Sequence, residues 1–228
     1  MLPAVDAYKE RFVELLAESD VVRFGEFTLK SGRKSSYFIN AGRLRTGNSI
    51  AGLGRAYAAR ILDAGLVCDF VFGPSYKGVP LAVATAIALA EGGRDVGFAF
   101  DRKEVKDHGE GGLFVGTEPV AGMHAVVVDD VITSGASIRH SVELLRGRSV
   151  VISGAVIAVD RQERGRGPGT TLEELEETLG FPVLPIVTVR EMVERLHRLG
   201  KVDDAARSAI EAYVQRHGPP GSSLEVES

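Results

Sequence analysis

Residues 126–137 have the sequence VVVDDVITSGAS. The three valines form a short, continuous apolar run, which is typical of a parallel strand covered on both faces. Asp129 and Asp130 follow where this strand ends, and ligands bind at that edge in open α/β sheets. Residues 133–137 then offer hydroxyls and unhindered backbone N–H groups at the start of a helix, which favours a phosphate. The combination suits a sugar phosphate, because carboxylates accept hydrogen bonds from ribose hydroxyls.

The composition is that of an ordinary globular protein. Hydrophobic residues make up 44% of the 228 residues and charged residues 25%, which is enough for a substantial core. The net charge of −4 argues against a protein that coats nucleic acid, since such a protein needs a broad basic surface. Cys68, the single cysteine, is predicted to be a small buried residue. The sequence has no targeting segment and no apolar run that could span a bilayer, so we expect a soluble, cytoplasmic protein.

Strand-like apolar runs alternate with helical patterns after about residue 49. This alternation predicts an α/β fold with a doubly wound, mostly parallel central sheet flanked by helices. The predicted strands are residues 69–73, 96–100, 125–130, 150–159 and 182–189. The predicted helices are residues 50–62, 79–91, 138–145, 171–179, 191–199 and 205–214.

The segment before residue 49 has a different pattern. Residues 1–20 are predicted to form an amphipathic helix, and residues 24–29 and 37–40 alternate like two strands around a polar turn. We expect them to form a small N-terminal cap over the sheet edge. The prediction is a single domain over residues 1–217, with the cap in 1–48, the core in 49–190 and C-terminal helices in 191–217. Residues 218–228 have little to bury and are predicted to be a disordered tail.

Two further loops are predicted to lie at the same edge of the sheet as the acidic pair. Residues 101–112 (DRKEVKDHGEGG) combine three cations, a histidine and three glycines. They suit a lid that closes over a polyanion, although a merely solvated loop has the same composition. Residues 73–78 (GPSYKG) offer N–H groups at another helix start with Lys77 as a point charge, or form an ordinary strand-to-helix turn. Together the loops favour a ligand with phosphates at both ends.

Two other stretches are rich in charge. Residues 30–38 (KSGRKSSYF) combine cations with aromatics, which suits a flat anionic ligand; taken alone, they are better explained as a basic hairpin tip. Residues 160–167 (DRQERGRG) end a predicted strand, so Arg161 can bind a carboxylate there, unless the run is only solvated. The sequence has no P-loop, no dinucleotide-binding glycine motif, no nucleophile elbow and no metal-ligand spacing.

Taken together, these stretches resemble type I phosphoribosyltransferases, and more narrowly orotate phosphoribosyltransferases. Residues 129–137 resemble the superfamily motif for phosphoribosyl diphosphate. The narrower resemblance depends on residues 24–35, 73–78, 102–111 and 160–164, and it covers roughly residues 8–200. It implies the type I phosphoribosyltransferase fold, in which helices flank a central, mostly parallel sheet beneath a small N-terminal hood.

The resemblance also implies an activity. Ribose 5-phosphate would pass from 5-phospho-α-D-ribosyl 1-diphosphate (phosphoribosyl diphosphate) to N1 of orotate. The products would be orotidine 5′-monophosphate and diphosphate, in de novo pyrimidine (UMP) biosynthesis. The implied cofactor is Mg²⁺, held mainly by oxygens of the ligand and by no residue directly. The implied assembly is a homodimer with shared active sites, because the lid reaches partly into the neighbouring site; no nucleic acid or membrane is involved.

The same resemblance assigns roles to individual residues. Asp129 and Asp130 would hold the ribose hydroxyls, and residues 133–137 the 5′-phosphate. The residues that would bind phosphoribosyl diphosphate are Lys30, Tyr76, Lys77, Arg102, Lys103, Lys106, His108, Asp129, Asp130, Val131, Ile132, Thr133, Ser134, Gly135, Ala136 and Ser137. Those assigned to catalysis are Lys30, Lys77, Arg102, Lys103, Lys106 and His108. Those that would contact orotate are Phe38, Ile39, Thr133 and Arg161.

The chain departs from the family pattern at a few positions. Ala136 stands where a hydroxyl residue is common, so one phosphate hydrogen bond is missing unless Ser134 or Ser137 replaces it. Ser36 stands where the family often has proline. Ile39 stands where a second aromatic is common, so stacking against the acceptor is reduced there.

Two other functions remain as alternatives for the same fold. A purine-directed phosphoribosyltransferase would not match the family in the cap or at Arg161, and this chain matches at both. A regulator that binds nucleic acid would lack the lid cations and carry a basic surface, whereas this chain has the cations and a negative net charge. The sequence therefore favours an enzyme that acts on orotate.

Overall fold

The computed structural model describes residues 5–29, 32–102, 112–132 and 135–220. The helices are α1 (Val5–Glu18), α2 (Gly47–Asp63), α3 (Gly78–Glu91), α4 (Ala136–Arg146), α5 (Thr171–Leu179), α6 (Val189–Arg198) and α7 (Asp204–His217). The strands are β1 (Val22–Thr28), β2 (Lys34–Ile39), β3 (Phe70–Phe72), β4 (Gly97–Asp101), β5 (Phe114–Gly116), β6 (His124–Asp129), β7 (Val151–Asp160) and β8 (Val183–Thr188). A short 3₁₀ helix spans Ala41–Arg43.

Six strands form the central sheet in the order β5-β4-β3-β6-β7-β8. β3 is parallel to β4 and β6, and β7 is parallel to β6 and β8. β5 is antiparallel to β4 at one edge. The predicted mostly parallel, doubly wound sheet is therefore confirmed. Sequence patterns did not predict β5, because its three residues are too few to show an alternation.

The core lies on both faces of the sheet, as the apolar strand runs predicted. Val126 and Val128 of β6 pack on the face that α1, α2, α6 and α7 cover. Val127, between them, packs on the opposite face with residues of α4 and α5. All three valines are fully buried. Because both faces of β6 are covered, its residues are shielded from solvent along the strand. The acidic pair follows the carboxyl end of β6 and therefore lies at that edge of the sheet.

The predicted cap is an antiparallel pair of strands, β1 and β2, that forms a sheet of its own. Tyr37 in β2 is fully buried and meets the ring of Tyr213 in α7 edge-on, with 5.4 Å between ring centroids. The Ser36 hydroxyl also donates to the Ala209 carbonyl of α7 at 3.2 Å. The C-terminal helix therefore fixes this cap, called the hood below, to the body of the protein.

The structure also bears on the expectations for Cys68 and for membrane spans. Cys68 is buried as predicted, and burial raises the pKa of its thiol to about 11. None of the helices in the described ranges has both the length and the apolar character that a membrane span requires. Residues 221–228 of the predicted tail lie outside the described residues.

Candidate active site

Two turns at the carboxyl edge of the sheet line one cleft of about 340 Å³. One turn follows β3 and leads into α3, and the other follows β6 and leads into α4. Their strands are neighbours in the sheet, which is why residues far apart in sequence meet here. The described residues that line the cleft are Pro74, Ser75, Tyr76, Lys77, Asp129, Asp130, Val131, Ile132, Gly135, Ala136, Ser137 and Ile138.

Glycine is required at two points where these turns tighten. A Cβ atom on Gly73 would lie 2.0 Å from the carbonyl oxygen of Gly78, so the start of α3 packs directly on the end of β3. Gly135 has φ +71°, and a Cβ atom there would lie 2.6 Å from the Leu175 side chain. Both glycines let a helix begin close to the strand edge.

The two helices that begin at the cleft lack a side-chain cap. Lys77 precedes α3, and its side chain makes no hydrogen bond to the first turn of that helix. Gly135 precedes α4 and has no side chain that could cap it. By contrast, side chains of Thr46, Thr170, Thr188 and Asp203 cap helices α2, α5, α6 and α7. Unpaired N–H groups at a helix start attract anions. At the start of α3, the N–H groups of Gly78 and Val79 already bond to the carbonyls of Pro74 and Tyr76, and anion binding at the two helix starts stays a prediction.

The acidic pair lies between these two helix starts. Asp129 is 9% exposed, and burial raises the pKa of its carboxyl above the ordinary value, as does the neighbouring Asp130. Hydrogen bonds from the Asp130 backbone N–H and the Ser137 hydroxyl partly oppose that rise. The Tyr57 hydroxyl of α2 donates to the Asp129 carbonyl at 2.7 Å and so holds the end of β6 in place. These contacts fix the backbone from which both carboxylates project.

Lys77 bridges the two turns. Its Nζ lies 2.7 Å from Oδ2 of Asp130, and this hydrogen bond raises the pKa of the lysine. The Lys77 side chain is 74% exposed and that of Asp130 is 15% exposed. The lysine is therefore mobile enough to leave the carboxylate when a ligand enters, because an exposed ion pair contributes little to stability.

Asp101 joins the turn after β3 to the base of the predicted lid. Its buried carboxylate accepts a hydrogen bond from the Ser75 backbone N–H at 2.7 Å, and its carbonyl accepts one from the Ser75 hydroxyl. The Ser75–Tyr76 peptide bond is cis. Arg102 follows directly, and its backbone N–H bonds to the Leu113 carbonyl at 2.7 Å. Both ends of the lid segment are thus held against the cleft.

Arg161 lies beside the cleft, in a small neighbouring pocket. Ile132 lines both spaces, so they adjoin. The Arg161 guanidinium stacks on the Tyr37 ring, with 4.6 Å between Cζ and the ring centroid. Burial lowers the pKa of Arg161, but Tyr37, Glu163 and Tyr213 outweigh that effect and hold the pKa above its ordinary value. The guanidinium therefore remains a cation in a half-closed site.

Comparison with known proteins places the chain in a family. A family model described as the phosphoribosyl transferase domain matches residues 42–176, more than half of the chain. The curated orotate phosphoribosyltransferase of Photorhabdus laumondii is 46% identical over 213 residues, which are 93% of this chain and 99% of that protein. The chain belongs to the orotate phosphoribosyltransferase family.

Solved structures of the family agree with this fold. The orotate phosphoribosyltransferase of Francisella tularensis superposes with a TM-score of 0.80 at 34% identity, covering 91% of this chain and 98% of that one. The enzyme of Mycobacterium tuberculosis H37Rv, solved in complex with 5-phospho-α-D-ribosyl 1-diphosphate, gives a TM-score of 0.61 at 26% identity and covers 81% and 98% of the two chains.

The structure brings together most of the predicted donor-binding residues that it describes. Nine of them line the cleft, namely Tyr76, Lys77, Asp129, Asp130, Val131, Ile132, Gly135, Ala136 and Ser137. Arg102 stands at the base of the lid, half-buried. The predicted residues Lys30, Lys103, Lys106, His108, Thr133 and Ser134 lie outside the described residues, so their roles stay predictions.

The described residues that are predicted to contact orotate lie outside the cleft that the donor-binding residues line. Phe38 is 38% exposed, and its ring stacks on Phe27 of β1 with 5.7 Å between centroids. Because side chains alternate along a strand, Tyr37 and not Phe38 faces Arg161. Ile39 packs on the core. Contacts of Phe38 and Ile39 with orotate remain predictions that the unliganded site does not test.

Sequence reasoning missed several residues that hold the site. Tyr57, Asp101 and Tyr213 each support it from another element. Glu163 lies within the charged stretch 160–167, but sequence reasoning assigned it no role. The signal that could have found Asp101 is a carboxylate that directly follows an apolar strand and precedes the basic lid. Nothing in the local sequence of Tyr57 or Tyr213 distinguishes them from ordinary core aromatics.

Proposed function

We propose that this protein is an orotate phosphoribosyltransferase. It transfers ribose 5-phosphate from phosphoribosyl diphosphate to N1 of orotate, forming orotidine 5′-monophosphate and diphosphate in pyrimidine biosynthesis. The observation that carries the proposal is the cleft in which two uncapped helix starts flank an acidic pair, with Lys77 on one side and Arg161 in the adjoining pocket. A cytoplasmic location is part of the same proposal.

The donor would lie along the cleft. Its 5′-phosphate would bind the N–H groups at the start of α4, and its ribose hydroxyls would donate to Asp129 and Asp130. Its diphosphate would bind the turn after β3, where Lys77 exchanges Asp130 for the leaving group. Ala136 has no hydroxyl to offer the phosphate, and the Ser137 hydroxyl already serves Asp129. The phosphate would therefore depend on backbone N–H groups and on the predicted hydroxyls of Thr133 and Ser134.

The chemistry needs charge stabilisation more than a nucleophile. The bond between ribose C1 and the diphosphate oxygen breaks, and its electron pair leaves with the diphosphate. N1 of orotate bonds to the same carbon and gives up its proton. Lysines aimed at the diphosphate stabilise the negative charge that grows on it, so Lys77, with Lys30, Lys103 and Lys106, lowers the barrier. Lid closure would also exclude water from the ribosyl carbon.

Mg²⁺ suits this site, because its hard carboxylate and hydroxyl oxygens are ligands that the ion accepts. When bound, Mg²⁺ supplies positive charge to the departing diphosphate. Asp129 and Asp130 would meet the ion through the ribose hydroxyls. Across the ranges that the structure describes, no cluster of three or more Asp, Glu, His or Cys side chains is arranged to hold a metal ion. We therefore propose that oxygens of the donor supply most of the ligands.

The acceptor would bind at Arg161. Orotate is a planar carboxylate, and a guanidinium recognises carboxylates with paired hydrogen bonds. Arg161 is held as a cation on the Tyr37 ring, beside the end of the cleft where the ribosyl carbon would lie. Phe38, Ile39 and Thr133 would complete the acceptor site on the hood side.

A homodimer with shared sites is also part of the proposal. Helix α3 is apolar on nearly every side, and Ile87 on its outer face is 55% exposed. Phe98 of the adjacent strand β4 is 36% exposed. This apolar face continues from the turn that carries Lys77 and from the strand that leads into the lid, so a second copy seated on it would bring its lid residues to the neighbouring cleft.

One assay tests the function directly. The protein is mixed with phosphoribosyl diphosphate, Mg²⁺ and orotate, and the absorbance of orotate is followed. We expect orotate to be consumed only when all components are present. Consumption of a purine base in place of orotate would favour the purine-directed alternative, and no consumption of either base would favour a regulator.

A further inference from the structure

The carboxylate of Glu163 is where three separate parts of the chain meet. Arg33 at the hood hairpin donates from Nη1 to Oε2 of Glu163 at 2.9 Å, across 130 residues of sequence. Tyr213 of α7 donates its hydroxyl to Oε1 at 2.7 Å, across 50 residues. Arg161, two residues away, donates from Nε to the same Oε1 at 2.8 Å. One side chain therefore joins the hood, the loop after β7 and the C-terminal helix.

These contacts fix the orientation of Arg161. Both close contacts with Glu163 use the Nε and Nη2 side of the guanidinium. The Tyr37 ring covers one of its flat faces, and the side chain is only 12% exposed. Among the described residues no hydrogen bond uses Nη1, so that end of the guanidinium is the part left to meet a substrate carboxylate.

Two arginines share the Glu163 carboxylate. Arg33 and Arg161 with Glu163 sum to one positive charge. The Asp160 carboxyl, which lines the same pocket, can offset that charge. The Glu163 side chain is 19% exposed, unlike the surface pair of Glu118 and Arg148, whose side chains are 58% and 43% exposed. Shared, half-buried hydrogen bonds of this kind orient side chains, whereas exposed pairs rarely do.

We propose that Glu163 is a positioning residue for the acceptor: it holds Arg161 so that Nη1 points to the carboxylate of orotate. It does not touch the substrate and acts through Arg161. This inference rests on the proposed function, because it names the acceptor of that reaction. Without Glu163, Arg33 and Arg161 would repel each other and the guanidinium would lose its fixed direction.

The test is steady-state kinetics of Glu163→Gln, which keeps the shape of the side chain and removes its charge. We expect the KM for orotate to rise by at least about tenfold, since misplacing one binding group has effects of this size. The KM for phosphoribosyl diphosphate and the melting temperature should change little. Tyr213→Phe, which removes one donor to Glu163, should raise the KM for orotate by a smaller factor. Glu118→Gln, which breaks a surface pair with an arginine, is the matched control and should change nothing.

A double-mutant cycle separates positioning from a general structural role. If Glu163 acts through Arg161, Glu163→Gln should lower kcat/KM for orotate in the native background but have almost no effect beside Arg161→Ala. An equal effect in both backgrounds, or a native KM for orotate in Glu163→Gln, would overturn the role of Glu163 alone. If the native protein consumes no orotate, the proposed function and this role are both wrong.

Discussion

The buried carboxylate of Asp129 lowers the stability of the folded protein at the position where the proposed function requires a ribose acceptor. This carboxylate is almost completely buried, and it has Asp130 as a neighbour of like charge. Burial disfavours the charged form of this carboxyl, but a protonated acid is a poorer acceptor for ribose hydroxyls. Under the proposed function, the site would keep a destabilising charge because ribose binding requires it.

Asp129→Asn should raise the stability of the unliganded protein at neutral pH while lowering its activity. The raised pKa means that the folded protein binds a proton more tightly than the unfolded chain, so the native protein loses stability as the pH rises through that pKa. We expect the melting temperature of the variant at neutral pH to exceed that of the native protein by about 2–4 °C, the shift that roughly 1 kcal/mol produces at this size. The measurement is thermal unfolding followed by circular dichroism.

The gain should shrink as the pH falls from neutral toward 4, because the native carboxyl then takes up its proton and the cost of its charge disappears. Asp95→Asn, at an exposed position outside the cleft, is the control and should show no such trend. A variant less stable than the native protein at neutral pH would mean that the hydrogen bonds to Asp129 outweigh its burial.

At the scale of elements, the two helices that start at the cleft differ from the others in how their first turns are satisfied. Capping side chains stabilise a helix by about 1 kcal/mol, and α2, α5, α6 and α7 all have one. α3 and α4 have none and begin instead at close glycine contacts. The N–H groups of Gly78 and Val79 at the start of α3 bond instead to the backbone carbonyls of Pro74 and Tyr76.

Asp101 links strand β4, the lid and the turn before α3, and its loss should weaken donor binding. Asp101→Ala leaves the Ser75 N–H without its buried acceptor, which costs about 1–3 kcal/mol. We expect the KM for phosphoribosyl diphosphate to rise at least about fivefold, because the turn that would bind the diphosphate loses its support. Steady-state kinetics with the donor varied give this value.

Asp101→Asn is the matched control, since its amide oxygen can still accept the Ser75 N–H. It should keep a nearly native KM for the donor. Equal losses in the two variants would show that the charge of Asp101, and not the hydrogen bond to Ser75, supports the turn.

Across the whole molecule, the chemistry depends on segments far apart in sequence. The hood supplies Arg33 and Tyr37, the core supplies the cleft, and α7 supplies Tyr213. Arg164 adds a backbone hydrogen bond to the carbonyl of His217 at the end of α7. Under the proposed function, the C-terminal helix would therefore support the acceptor site as well as cover the core.

Shared active sites can be tested by mixing two inactive variants. Lys106→Ala should lower turnover by at least about tenfold, or roughly 1.4 kcal/mol of barrier, because a lid cation is lost. Asp130→Ala removes a ribose acceptor from the cleft. If lids cross between subunits, a mixed dimer has one complete site, and unfolding and refolding the two variants together should restore roughly a quarter of the native activity. Activity no higher than the sum of the separate variants would place each lid over its own cleft.

The sequence predicts the sheet and the donor site because local patterns determine them. The run that ends at Asp129 is apolar enough to identify a buried strand, and the glycines and hydroxyls after it identify a helix start. Strand β5 leaves no such pattern in three residues. The role of Glu163 was not predicted, because its partner Arg33 is 130 residues away and a charged run at a strand end has the same composition as a solvated loop. Only the folded chain brings these residues together.

The bond between Lys77 and Asp130 has a consequence for selectivity. With no ligand in the cleft, the lysine and the carboxylate satisfy each other. A molecule that offers only an anion would recruit Lys77 and leave Oδ2 of Asp130 without its partner, although Oδ1 keeps the Val131 N–H; one that offers only hydroxyls would leave Lys77 without its partner. Only a molecule carrying both groups at the right separation would compensate both residues at once. Under the proposed function, the cleft would therefore bind free diphosphate and plain sugars less well than phosphoribosyl diphosphate, because each of them replaces only one side of the Lys77–Asp130 pair.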